Sequence, residues 1–364
     1  MDDEPLRRTA LFDVHRALGA RIVPFGGFEM PVQYAGILAE HDAVRKRAGL
    51  FDLSHMAQFE LRGTGVGAWA DALTVNHVAT MKPLQARYNV FTNDAGGALD
   101  DVIFYRSPQR WVVIVNAANA DKMWAYLQAS RSGDVELTDL RGENALLAVQ
   151  GPRSLEVLAP LVDADIEALG YYRCIETRAG GVPALVARTG YTGEDGFEIF
   201  LPNDAAPGLW DALLAEHRDV LAPCGLGARD VLRLEAGMPL YGHELSEEIT
   251  PLQAGLDWAV KLAKPAFTGK AALEAQAAAG DYPRIAGVLL DGRVPARAGY
   301  RVLRDGAPAG EIRSGSIAPS LGNRSIATAL LDAASARVGM RLGVEVRGTE
   351  YAATTVALPF YKRG

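Results

Sequence analysis

The chain has 364 residues, 22% of them charged, and a net charge of −7. That length buries a sizeable core and accommodates more than one domain, while the acidic balance argues against a nucleic-acid binder held by phosphate contacts. Its two cysteines, Cys174 and Cys224, make neither a disulfide framework nor a metal cluster. They read as packing residues in a reducing compartment, so a cytoplasmic location is expected. The opening MDDEPLRRT lacks the apolar core of a signal peptide, and no apolar run approaches the roughly 20 residues of a membrane-spanning helix.

In chain order, Thr9 is placed to cap a helix over 10–18, with Leu11, Val14 and Leu18 on one stripe and Gly19 at its end. Segment 23–34, rich in glycine, proline and aromatics, reads as irregular chain packed between domains. A helix over 37–47, a strand over 58–62 and a helix over 66–73 follow. Turn chemistry at 93–97 (NDAGG) opens a strand, LDDVIFYR, and 111–116 (WVVIVN) reads as a buried strand. Helices are expected over 120–129, 154–161 and 207–216, and strands over 146–149 and 183–188. Antiparallel strands interspersed with helices, without a βαβα rhythm, make the class α+β. Beyond Gly280 six short strands are expected, at 285–290, 300–303, 310–314, 326–331, 344–346 and 354–356. Hairpin turns at Asp305-Gly306 and Gly348-Thr349 complete a small all-β domain. The alanine-rich tract 271–280 is the expected boundary.

The common catalytic signatures are missing: GTGVG at 63–67 is no dinucleotide fingerprint, and FTGK at 267–270 lacks the upstream glycine of a phosphate loop. No metal is implied, and His55 and His243 are read as structural. Three stretches carry the interest. In the strand after NDAGG, Asp101, Ile103 and Tyr105 share one face, and Asp100, Val102 and Phe104 the other. Both faces are mostly apolar, so one acid is expected to meet water and the other a partner or ligand. RTGYTGEDGFEIF (188–200) reads strand, glycine-rich turn, strand, with Glu198 either on a solvated face or a fixed acceptor. PCGLGARDVLRLEAGMPLYGHEL (223–245) opens a helix whose Arg229 and Arg233, at i,i+4, would otherwise pair with Asp230 or Glu235 on its surface.

Taken together, TALFDVHRALGARIVPFGGFEMPVQY, AGLFDLSHM, GGALDDVIFY, VVIVNAAN, AVQGP, RTGYTGEDGFEI, CGLGARDVLRLEAGMPLYG and SGSIAPSLG resemble the T-protein of the glycine cleavage system, a tetrahydrofolate-dependent aminomethyltransferase family. The likeness runs over nearly the whole chain. It implies a three-part cloverleaf of Greek-key and ferredoxin-like subdomains plus a small C-terminal β-barrel or jelly-roll domain. The folate-binding region is expected over 8–270 and the barrel over 283–361. Tetrahydrofolate is implied as co-substrate and lipoylated H-protein as partner, with no nucleic acid, membrane or metal. By position, Asp101 matches the family's catalytic acid, Glu198 the acceptor of the pterin edge, and Arg229 a second folate contact. Met56, Tyr88, Tyr105, Tyr191 and Trp258 match channel-lining positions, and Tyr361 does so near the variable C-terminus. Glu198 and Asp101 are expected to face one hollow. Phe28 stands where the family often has tryptophan. Rival readings are a folate-dependent demethylase of a small methylated substrate on the same fold and a folate-binding accessory protein for iron–sulfur assembly. The latter's cysteine-bearing signature is replaced here by LYGHEL at 240–245.

Overall fold

A computed structural model describes residues 5–364, so the acidic start Met1–Glu4, read above as part of no targeting segment, lies outside the described residues. By its internal contacts the chain divides into two units: residues up to 69 with 78–88 and 102–230, and residues 70–77, 89–101 and 231–364.

The first unit is built on a six-stranded sheet in the order Cys174–Ala179, Val182–Ala187, Gly196–Pro202, Asn144–Gln150, Ala48–Asp52, Leu221–Pro223. All its pairings are antiparallel except the last, which is parallel. Along Gly196–Pro202 the alternation of strand side chains sends Phe197, Ile199 and Leu201 into the main core, where they meet Trp210 and Leu213 of the Ala206–Glu216 helix and Val157 of the Ser154–Leu158 helix. Burial of such side chains contributes about 1.5–3 kcal/mol each and is what holds helices to sheet. Glu198 and Phe200 therefore fall on the other face. The Ala48–Asp52 strand was not expected, because all five of its residues are buried and it shows no alternation to read.

A second sheet runs in the order Gln85–Thr92, Ala98–Arg106, Trp111–Val115, Ala57–Arg62, Glu136–Asp139. Its first two strands run through the division between the units.

Segment 23–34 is not irregular. Arg21–Phe25 and Phe28–Gln33 form an antiparallel hairpin around Gly26 and Gly27, whose φ values of +55° and +81° suit a type I′ turn. Pro24 and Pro31 suggested irregular chain, but a two-stranded ribbon has an open edge on each strand, where a missing N–H costs little. The first helix is also shorter than expected, Phe12–Ala17, and Thr9 does not cap it. The Thr9 hydroxyl instead accepts the Leu11 N–H at 3.3 Å and donates to Asp52 at 2.7 Å.

In the second unit, six strands close into a barrel in the order Arg284–Leu290, Arg324–Leu331, Ala307–Ala318, Arg301–Arg304, Arg341–Val346, Thr349–Val356. Val288, Val302, Ile312, Ala329 and Val344 fill its interior. The Asp305-Gly306 turn forms as expected, with φ of +52° and +78°. The last turn sits one residue earlier than expected, at Arg347-Gly348, with Thr349 already paired to Val346. A type I′ turn needs positive φ at both positions, and a β-branched threonine resists it. Tract 271–280 forms most of a helix, Lys270–Ala279.

Arg233 is not on a helix surface. It is 1% exposed and donates to Glu244 at 3.0 Å and to Ser314 at 2.9 Å. Glu244 also accepts from the Leu240 N–H and from Thr328, and these donors hold its carboxyl below the usual range against the push of burial.

Candidate active site

Glu198 lies mid-strand with a small residue on each side, Ala187 across one pairing and Ala148 across the other. Short neighbours leave its carboxylate standing above the sheet, yet it is only 7% exposed. Two hydroxyls from the same unit converge on Oε2: Tyr105 donates at 2.7 Å and Thr189 at 2.5 Å. Among the described residues Oε1 has no protein donor. The result is an oriented carboxylate with an acceptor to spare, which is the fixed acceptor rather than the solvated residue of the two sequence alternatives.

Tyr105 is 1% exposed and packs edge-on against Phe200 at 5.0 Å. Burial and the Glu198 charge push its phenol well above the usual range, so it stays a neutral donor. Thr189 was not singled out in the sequence. Its local signal was the glycine-rich turn around it. A Cβ on Gly190 would come within 1.9 Å of the Gln150 amide, and one on Gly196 within 2.4 Å. Gln150 in turn donates to the Thr189 carbonyl at 3.0 Å and accepts from the Thr192 hydroxyl at 3.0 Å. The glycines therefore let a buried glutamine lock the turn that carries Thr189 and Tyr191.

Tyr191 holds the Arg229 guanidinium 4.6 Å above its ring. His55, 4% exposed, lies close enough to feel the Arg229 charge, and its Nδ1 has no partner. Burial is the main force holding its pKa down to about 4, with Arg229 acting the same way and Asp52 opposing. His55 is thus a neutral imidazole. Met56 and Tyr88 are half-buried in the same unit.

Asp101, Trp258 and Tyr361 belong to the second unit. Asp100 is fully buried and Asp101 only partly so. The two acids therefore separate as their opposite faces required. Asp101 sits four residues before Tyr105 in the Ala98–Arg106 strand, at a position of the same parity. Trp258 is 58% exposed, and Tyr361 is half-buried with its backbone N–H on the Glu235 carbonyl at 2.8 Å. Among the described residues no group of three or more His, Cys, Asp or Glu side chains could hold a metal.

Residues 11–264 match the model of the GCVT N-terminal domain, and residues 284–362 that of the glycine cleavage T-protein C-terminal barrel domain. The chain belongs to the glycine cleavage T-protein family. Within that family it is 48% identical to an aminomethyltransferase of Streptomyces coelicolor over 100% of both chains. It is also 48% identical to one of Rubrobacter xylanophilus, over 98% of this chain and 95% of that one. The crystal structure of glycine cleavage system aminomethyltransferase T from Bartonella henselae superposes with a TM-score of 0.92 at 33% identity, covering 98% of this chain and 99% of that one. The α+β class and the closed C-terminal barrel are those of the family. Among the described residues no helix is long and apolar enough to cross a membrane.

Proposed function

We propose that this T-protein family member is the aminomethyltransferase of a glycine cleavage system. It moves the methylene carbon of aminomethyl-dihydrolipoyl H-protein to tetrahydrofolate, releasing ammonia and the reduced lipoyl arm. The observation that carries the reading is end-to-end similarity to aminomethyltransferases together with a buried carboxylate, Glu198, that keeps one oxygen open.

A pterin offers two adjacent N–H donors on its amino-pyrimidine edge, and a carboxylate is their complement. Oε1 of Glu198 takes one directly. Because Oε2 already accepts Tyr105 and Thr189, full bidentate recognition requires the Thr189 hydroxyl to turn aside. Arg229, stacked on Tyr191, supplies a positioned cation to the same bound folate. Met56, Tyr88, Tyr105, Tyr191, Trp258 and Tyr361 are the apolar and aromatic contacts of the folate and the arm. Asp101 is the catalytic acid. Its carboxylate orients the folate amine and stabilises the positive charge that develops on the one-carbon fragment as ammonia leaves. Residues 8–270 form the folate-binding region and 283–361 the barrel domain. The enzyme acts in the cytoplasm, in keeping with two buried, unpaired cysteines.

The test is to incubate purified protein with tetrahydrofolate and aminomethylated H-protein, and to measure ammonia and methylenetetrahydrofolate. Equal amounts of both are expected. Failure here, with turnover of a small methylated compound in the absence of H-protein, would replace this reading with the demethylase. In the same assay Asp101→Asn retains folate binding and loses turnover by about 10²–10⁴-fold, the range for a positioned acid–base or electrostatic group. Near-normal turnover would remove Asp101 from the mechanism.

A further inference from the structure

Gln150 ends the Asn144–Gln150 strand and is fully buried in the first unit. It pairs across to Gly196 on one side and to Gly49 on the other, and two residues earlier Ala148 faces Glu198. By the two-residue period of a strand, Gln150 and Glu198 therefore rise from the same face of the sheet. The Gln150 amide threads between Gly190 and Gly196, and a Cβ on either would collide with it. Glycine within a strand loses backbone entropy on folding and has no side chain to pack, so this slot is kept at a cost.

The turn over 188–195 has other ties that close it. Arg188 donates to both Asp195 oxygens, at 3.0 and 2.6 Å, and the Asp195 carbonyl accepts the Gly151 N–H at 2.8 Å. Arg45 donates to the Thr192 carbonyl at 2.7 Å and pairs with Glu194 at 2.9 Å. What Gln150 adds falls on the two residues that bracket Gly190 and Tyr191. Its amide nitrogen donates to the Thr189 carbonyl and its amide oxygen accepts the Thr192 hydroxyl, each at 3.0 Å. Thr189 carries the hydroxyl on Glu198, and Tyr191 carries the ring under Arg229. One uncharged side chain thus fixes the backbone on both sides of Tyr191. The task needs a donor at one point and an acceptor at another, which glutamine supplies and neither glutamate nor methionine of similar length does.

We propose that Gln150 is a positioning residue of the folate site, coupling the Glu198 acceptor to the Tyr191–Arg229 stack by holding Thr189 and Thr192 in place. It acts through those two residues and not on the reacting atoms. With the Thr189 backbone fixed, its hydroxyl leaves Glu198 by side-chain rotation alone, which frees Oε2 for the pterin edge while Tyr191 stays under Arg229. The assignment rests on the function proposed above.

The experiment measures the tetrahydrofolate dissociation constant, and KM and kcat with aminomethylated H-protein, for full-length wild type, Gln150→Met, Thr189→Val and the double variant. Gln150→Met should weaken folate binding about tenfold, the order of a buried hydrogen-bonding group left unmatched. KM for folate should rise with it and kcat change little, the pattern of lost uniform binding. Thr189→Val should cost less affinity in the Gln150→Met background than in wild type, because both act on one carboxylate; a glutamine that only braces the fold would give additive costs. Should Gln150→Met fail to fold, Thr192→Val removes only the hydroxyl on the Gln150 oxygen, and the same coupling to Thr189→Val is expected. Unchanged folate affinity in Gln150→Met, or additive costs in the cycle, overturns the proposal and leaves the aminomethyltransferase reading standing. Wild type that binds no tetrahydrofolate overturns both.

Discussion

At the scale of the residue, neighbours decide what each ionisable group can do. His55 is held neutral to a pKa of about 4 against an ordinary 6.5, mainly by burial. A depressed histidine lets the unfolded chain bind a proton that the folded chain refuses, so its burden on stability is absent above pH 6.5. That burden grows as pH falls from 6.5 to about 4. His55→Gln is expected to flatten the stability profile across that window, as measured by denaturant midpoints at pH 7 and pH 4.5. An unchanged slope would mean that His55 titrates normally. Sequence pattern exposed Glu198 and Asp101 because acids in apolar strands are conspicuous. It left open whether Glu198 faced water, since that turns on Ala148 and Ala187 beside it and on Thr189 and Tyr105 above it. Those partners are distant in sequence or chemically plain, and only pairing register brings them to the carboxylate.

At the scale of the element, buried polar ties join segments that local pattern cannot connect. Asp52 accepts from Thr9 at 2.7 Å, from His15 at 2.9 Å and from the Ser54 N–H at 2.9 Å, and His15 meets the Tyr34 hydroxyl at 2.8 Å. One carboxylate thereby ties the first helix and the Arg21–Gln33 hairpin to the loop that carries His55 and Met56. Burial pushes the Asp52 pKa up, but the His15 bond and charge and the Ser54 bonds outweigh it and hold the group below 3.8. Its stabilisation is therefore full above pH 3.8 and fades as pH falls through the depressed value. Asp52→Asn is expected to destabilise the protein by about 2–5 kcal/mol at pH 7, as for other buried charged hydrogen-bond networks. A loss under about 0.5 kcal/mol, as for an ordinary surface site, would contradict this. Arg233→Met, which strands the Glu244 carboxylate among Ser314, Thr328 and Leu240, should cost about 3–5 kcal/mol. The double variant Arg233→Met/Glu244→Leu should recover much of that, because it removes both charges together. Regular elements with a 3.6-residue stripe were legible to within a residue or two, as in Val66–Leu73 and Ala120–Ala129. The hairpin at 21–33 and the strand Ala48–Asp52 were not, the first masked by prolines and the second by uniform burial.

At the scale of the whole molecule, the family resemblance was legible because its motifs are long and span the chain, and the closed barrel bears out the expected C-terminal architecture. Composition alone could not have done this, since net charge and cysteine count are shared by many unrelated enzymes. The claim on which the account rests is that Glu198 holds the folate. Its most direct test is the equilibrium dissociation constant of tetrahydrofolate for wild type and for Glu198→Gln. The substitution keeps size and shape and replaces one acceptor oxygen with a donor. The account predicts affinity weakened by about 10–100-fold, the worth of a charge-assisted hydrogen bond, with a melting temperature within about 2 °C of wild type. An unchanged dissociation constant would contradict it.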